Sequence, residues 1–182
     1  VVLTDKPRDF KEFRKKNPHL EPFWPYLELL NKESDRGRVL ISTGFLEQQL
    51  KDVLLAYMLE ASQATDLVDG HNAPLGTFSS RITACYVLGL ITEDEHHDLN
   101  LIRKIRNDFA HDIHTSFEKP DIADRCRELR HKAQDYDSEK LGEVRVGASG
   151  QFQTAAVSLI MHFINRPHYV SKHRCTLWEW RF

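Results

Sequence analysis
The stretch LNLIRKIRNDFAHDIH, residues 99–114, decides how the chain is read. Leu99, Ile102, Ile105 and Phe109 recur at steps of three and four, the period of a helix with one face turned to a core. The other faces carry Arg103, Arg106, Asn107, Asp108, His111, Asp112 and His114, a dense polar cluster at the helix end. At ~100° per residue, Asn107 and His111 lie one turn apart on one face, with Asp108 beside them. Arg106 lies about 140° around the axis from His111. Two facing copies of such a helix bring an arginine to a histidine more readily than one copy does. The spacing therefore predicts a homodimer, with any site at its interface.

Upstream, Thr92, Glu93, Asp94 and Glu95 read as a capping box that opens this helix. Only Leu90 to Thr92 separate it from an earlier helix, which starts at Thr77 or Ser79 and stops at Gly89, so the two form an antiparallel hairpin. Phe78, Ile82, Cys85 and Leu88 face inward on the earlier helix, and Arg81 points away from them. Residues 61–76 read as a loop, broken by Gly70 and Pro74. Residues 34–60 are the longest predicted helix, capped by Ser34. Val39, Leu40, Leu46, Leu50, Val53, Leu54 and Tyr57 form its broad apolar face; Gly44 suggests close approach of a second helix, and Glu47, Gln48 and Gln49 a solvated side. Residues 1–33 hold four of the seven prolines. Phe10 with Phe13, and Leu20, Phe23, Trp24, Leu27 and Leu30, predict an N-terminal arm packed on a bundle.

Downstream, Asp121 is the expected cap of a helix over 122–137, with Ile122, Cys126, Leu129 and Ala133 inward. Its other face carries Arg125, Arg127, Arg130, His131 and Lys132. Such a face is usually solvated; beside a cleft it would hold a phosphate backbone. Residues 138–150 read as loop with a short extended piece at 144–146. Ser149 is the expected cap of a helix over 150–165, with Phe152, Ala155, Ala156, Leu159, Ile160 and Phe163 inward, ended by Pro167. The tail from Trp178 to Phe182 alternates, as an extended segment packing on the bundle or on a partner would. The expected division is an arm (1–33), one helical domain (34–166) and an aromatic tail (167–182). About six helices and no convincing strand pair argue for an all-α bundle of long antiparallel helices.

Bulk properties narrow the function. The chain has 182 residues and a formal net charge of −2, which argues against a surface built for duplex DNA. The lack of a signal-peptide pattern and of a long apolar run predicts a cytoplasmic protein. Cys85, Cys126 and Cys175 are widely spaced and odd in number, as in reduced thiols. His96 and His97 are adjacent and face different ways, and no CxxC or paired histidines support them, so neither a metal nor a cofactor is expected. Glycine-rich phosphate loops, Ser-His-Asp ordering and HExxH are absent.

Arg106, Asn107, Asp108, Phe109, Ala110 and His111 resemble the Arg-Asn-x(3–5)-His motif of the HEPN superfamily, small helical domains of which many are dimeric, metal-independent ribonucleases of toxin–antitoxin and defence systems. A second block, Pro74-Leu75-Gly76, Arg81, then Tyr86 to Ile91, is similar to the mannitol-operon-repressor (MltR) family, with Val87 where that family has glycine. The resemblance spans roughly residues 35–115, with a fainter echo at 150–165.

It implies Arg106 and His111 as a catalytic pair, with Asn107 as their polar neighbour; Asp108, beside them on the helix, is a further supporting candidate. The chemistry agrees. RNA brings its own 2′-OH nucleophile, so the protein must move a proton and stabilise phosphate charge. A histidine side chain in its unperturbed state changes charge near neutral pH, which makes the residue type at 111 suit the first task; Arg106, a permanently charged fork of donors, suits the second. Asn107 would orient the imidazole, and Asp108 would raise its basicity or balance the arginines. Arg103, Arg125, Arg127, Arg130 and Lys132 would bind the RNA. A toxin-type ribonuclease would have an antitoxin as its expected partner; the alternative is a non-catalytic MltR-like transcriptional regulator acting through a regulatory protein partner, since no helix-turn-helix head is present. A third reading is structural: the cluster only satisfies the helix end, where His111 adds favourable charge.

Overall fold
The structure, a computed structural model, describes residues 18, 21, 23–30, 32–70, 72–138 and 142–180. It is an all-α bundle with one small two-stranded hairpin. The helices are α1 (Phe23–Leu30), α2 (Asp35–Tyr57), α3 (Ser62–Val68), α4 (Phe78–Val87), α5 (Glu93–His111), α6 (Pro120–Glu128), α7 (Ala148–Ile164) and α8 (Arg166–Val170), the last followed by a short 3-10 turn. Among the described residues no helix is long and apolar enough to cross a membrane. Phe10, Phe13 and Leu20 lie outside the described residues.

The core is organised by α2, which packs against α1, α3, α4, α5, α7 and α8. Ser34 caps it by accepting a hydrogen bond from the Gly37 N–H. Val39, Leu46, Leu50, Val53 and Leu54 are fully buried. Leu40, expected inside, is substantially exposed, and Gly44 faces open space rather than a close neighbour. Two polar residues take inward positions instead. Ser42 accepts the Tyr26 hydroxyl at 2.9 Å, and the Thr43 hydroxyl donates to the Val39 carbonyl at 2.8 Å, so neither is left unsatisfied.

The α4–α5 hairpin follows the expected antiparallel course. Gly89 adopts φ +70°, and the bonds Gly89 N–H to Tyr86 O and Leu90 N–H to Cys85 O close a Schellman turn. The Thr92–Glu95 capping box is present in full. Leu99, Ile102, Ile105 and Phe109 are buried as one stripe. Leu88 is not part of the interior.

Four boundaries differ from the sequence reading. The segment 61–76 contains α3, a short helix whose Ala64 and Val68 reach the core. The helix expected to run to 137 stops at Glu128, and it starts at Pro120 with no side-chain cap from Asp121. The following chain forms an antiparallel pair, Tyr136–Ser138 with Gly142–Val144, too short and too exposed to leave a clear alternating pattern. Finally α7 begins at Ala148, so Ser149 sits in its first turn and donates to Asp35 Oδ1 at 3.2 Å instead of capping.

Arg81 does not point away from the core. It is buried, and its guanidinium donates to the carbonyls of Leu75 (2.9 Å), Val68 (2.8 Å) and Glu47 (3.2 Å), with the Glu47 carboxylate 3.6 Å away. One side chain thus ties α3 and the chain before α4 to α2. Arg81→Met should cost about 2 kcal/mol in urea unfolding, because three carbonyls lose a charged donor. The segment 68–76 should also become the first site of limited proteolysis.

Candidate functional site
The motif cluster sits at the C-terminal end of α5, beside the start of α2. Arg36, in the first turn of α2, donates to the Asp112 carbonyl at 2.8 Å, and its guanidinium lies 6.0 Å from the centre of the Phe109 ring. The helix is closed by Asp112. Its carboxylate accepts from Lys119, from the His114 N–H (2.9 Å) and from the Thr115 hydroxyl (3.1 Å), which hold it well below the usual carboxylate range.

Within the motif, Arg106 donates to Asn107 Oδ1 at 3.1 Å. Among the described residues no hydrogen bond joins Arg106 to His111, which is exposed beyond them. Asp108 pairs with Arg125 of α6, and Asp121 stands 3.8 Å from the same guanidinium. Asp108 therefore balances an arginine. Arg127 is paired with Asp124 and Arg130 with Asp94, while Lys132 donates to the Leu129 carbonyl at 2.7 Å. Arg103 is half-buried, and among the described residues its Nε has no hydrogen-bond partner. The fold thus brings Arg106 to Asn107 and Arg125 to Asp108, and it leaves His111 apart.

A second polar cluster, about 20 Å away along the α5 axis, was not singled out from the sequence. Asp98 is fully buried and accepts from the backbone N–H groups of Arg130 (2.8 Å) and His131 (2.9 Å) and pairs with His131 Nδ1 (2.8 Å). Three residues earlier Glu95, also buried, receives a two-pronged bond from Arg166 (2.7 and 2.8 Å), with His162 Nδ1 at 3.3 Å. Burial pushes the Glu95 carboxyl up, but the Arg166 bonds, the Thr92 N–H and the nearby positive charge together pull it below its ordinary value. The His131 and His162 rings meet edge to face, 5.3 Å between centres. These contacts fix α5 to α7, to the start of α8 and to the turn that ends α6. The signal was available: Glu95 and Asp98 continue the stripe of Ile102, Ile105 and Phe109, and carboxylates on an apolar stripe require partners.

The remaining histidines of α5 have local roles. His96 stacks on Tyr86 with centres 4.1 Å apart and lies 3.1 Å from the Asn100 amide, while His97 Nε2 approaches the Glu128 carbonyl at 3.3 Å. Among the described residues no set of three or more His, Cys, Asp or Glu side chains is placed to hold a metal.

Compared with known proteins, the chain matches no family model and no curated protein. It does match a chain in the X-ray structure of the MtlR–HPr complex from Escherichia coli, at 20% identity and a TM-score of 0.54, over 81% of this chain and 96% of that one. The likeness establishes an MtlR-like fold. None of these matches carries the HEPN part of the resemblance.

Proposed function
We propose that this chain is a non-catalytic regulator that acts by holding a protein partner, and that a protein of the HPr kind is that partner. The observation that carries the reading is the fold it shares with a chain solved in a protein–protein complex, the MtlR–HPr complex. The state of the motif supports it. Arg106 is engaged with Asn107, and Asp108 with Arg125, so three of the four motif side chains already have partners within the fold. A regulator needs that rigidity, because an ordered surface loses less entropy on binding.

A metal-independent ribonuclease is the second reading. It is favoured by one feature: Arg106 and Asn107 are joined while His111 stands exposed at the same helix end, as half of a site completed by a second copy would stand. Incubation of a mixed RNA pool with wild type and His111→Ala, both in EDTA, separates the two. The regulator reading predicts no cleavage by either protein. Cleavage by wild type that is lost in the folded variant would replace it with the nuclease reading.

A further inference from the structure
A cavity of about 380 Å³ opens where the end of α2, the α4–α5 turn and α8 with its 3-10 turn meet. Hydrogen bonds between those elements hold its walls together. Arg166 of α8 donates to the Leu90 carbonyl of the turn at 3.0 Å, and the Cys175 N–H, just after the 3-10 turn, donates to the Tyr57 carbonyl at 2.7 Å. Gly89, at φ +70°, turns the chain so that Leu88 and Leu90 both border the cavity. Leu88, read from the sequence as an inward residue, is 42% exposed at this cavity, and Tyr169 is 62% exposed. The tail does not cover them. Trp178 and Trp180 border no part of the cavity and are 80 and 73% exposed, so they do not take the place on the bundle that the sequence reading offered them.

The lining carries charge of one sign. Besides Tyr57, Leu88, Leu90, Tyr169 and Val170 it holds Arg166, Lys172 and His173, and no carboxylate. Arg166 is already balanced by Glu95, whose two oxygens take its guanidinium at 2.7 and 2.8 Å. Lys172 is not balanced: among the described residues it makes no ion pair, and its ammonium lies 5.3 Å from the centre of the Tyr169 ring. That contact fixes the cation beside an aromatic wall of the cavity. His173 adds ring nitrogens for hydrogen bonding. A ligand that fits must cover aliphatic and aromatic side chains and bring the negative charge that the lining lacks. A bare inorganic anion leaves the apolar walls uncovered, and a neutral apolar molecule leaves Lys172 without a counter-charge. A volume near the low end for ligand sites takes a small molecule and not a folded chain.

We propose that this cavity is a binding site for a small organic anion, a carboxylate or phosphate monoester with a compact apolar body, in which Lys172 and His173 hold the anionic head and Leu88, Leu90, Tyr169 and Val170 cover the body. The proposal is independent of the regulator reading. It also has a consequence for stability. The three elements that build the cavity separate on unfolding, so a bound anion raises the thermal midpoint by mass action.

Ligand-observed NMR titration with four probes tests it. Phenyl phosphate and phenylacetate carry head and body together, inorganic phosphate is head alone, and benzyl alcohol is body alone. One or both of the first two should bind with a dissociation constant below about 1 mM, roughly tenfold or more tighter than either fragment. The tighter of the two names the head group. Lys172→Ala with His173→Ala should weaken that binding by roughly tenfold or more. Leu88→Asp, which sets a carboxylate at the rim, should do the same. All three positions are exposed, so the helical circular dichroism spectrum should be unchanged in both variants. Lys104→Ala, on α5 and outside the cavity, should bind as wild type does. No binding of either organic anion, a fragment that binds as tightly as they do, or binding that the cavity variants leave unchanged would each overturn the proposal.

Discussion
Asp98→Ala is expected to destabilise the chain by ~3–5 kcal/mol. The carboxylate has no exposure and serves two backbone N–H groups and one imidazole. Alanine leaves all of them without a partner at a point where the chain must leave α6 and turn toward the hairpin. With a urea slope near ~2 kcal/mol per molar, the unfolding midpoint should fall by roughly 2 M. Asp98→Asn keeps the shape and one acceptor oxygen, so it should lie between wild type and alanine. An alanine variant that melts with wild type would mean that the turn after α6 is held by something else.

Arg166→Ala should cost a comparable ~3–5 kcal/mol, because it strips a buried carboxylate of its two-pronged partner. Glu95→Gln combined with Arg166→Met should recover much of that loss, since removing both charges removes the uncompensated one. The pair also sets an acid limit. The Glu95 carboxyl lies below its ordinary value in the fold, so the stability it contributes is present above the unfolded value, about 4.3, and is lost as pH falls through the lower, folded value. Acid unfolding of wild type should therefore begin below about pH 4.3. In the Glu95→Gln, Arg166→Met variant that component of the pH dependence should be missing. An acid transition of the same steepness in both proteins would assign it to other carboxylates.

The bundle could be read from the chain because its determinants are local and repeated. The stripe Leu99, Ile102, Ile105 and Phe109, the Thr92–Glu95 box and Gly89 each specify one helix or one turn, and all three are found as expected. What escaped was long-range. Arg81 looked like a surface charge because its acceptors are carbonyls on α2, at the end of α3 and before α4, groups that carry no side-chain signature. Asp98 and His131 are 33 residues apart, and only the fold brings them together. The basic run from Arg125 to Lys132 reads from the sequence as a face that is usually solvated and that would hold a phosphate backbone only beside a cleft. Three of its arginines are matched by Asp108, Asp124 and Asp94, two of them on another helix. The motif itself was visible as residues, but the relation of Arg106 to His111 depends on rotamers and neighbours that spacing along one helix does not fix.

The regulator account rests on a protein partner, and calorimetric titration of the purified chain with HPr is its most direct test. The account predicts saturable binding, one partner per chain, with a dissociation constant on the order of micromolar. It also predicts that neither wild type nor His111→Ala cleaves RNA. Absence of any binding heat at two temperatures, with RNA cleavage by the same preparation of wild type, would contradict it.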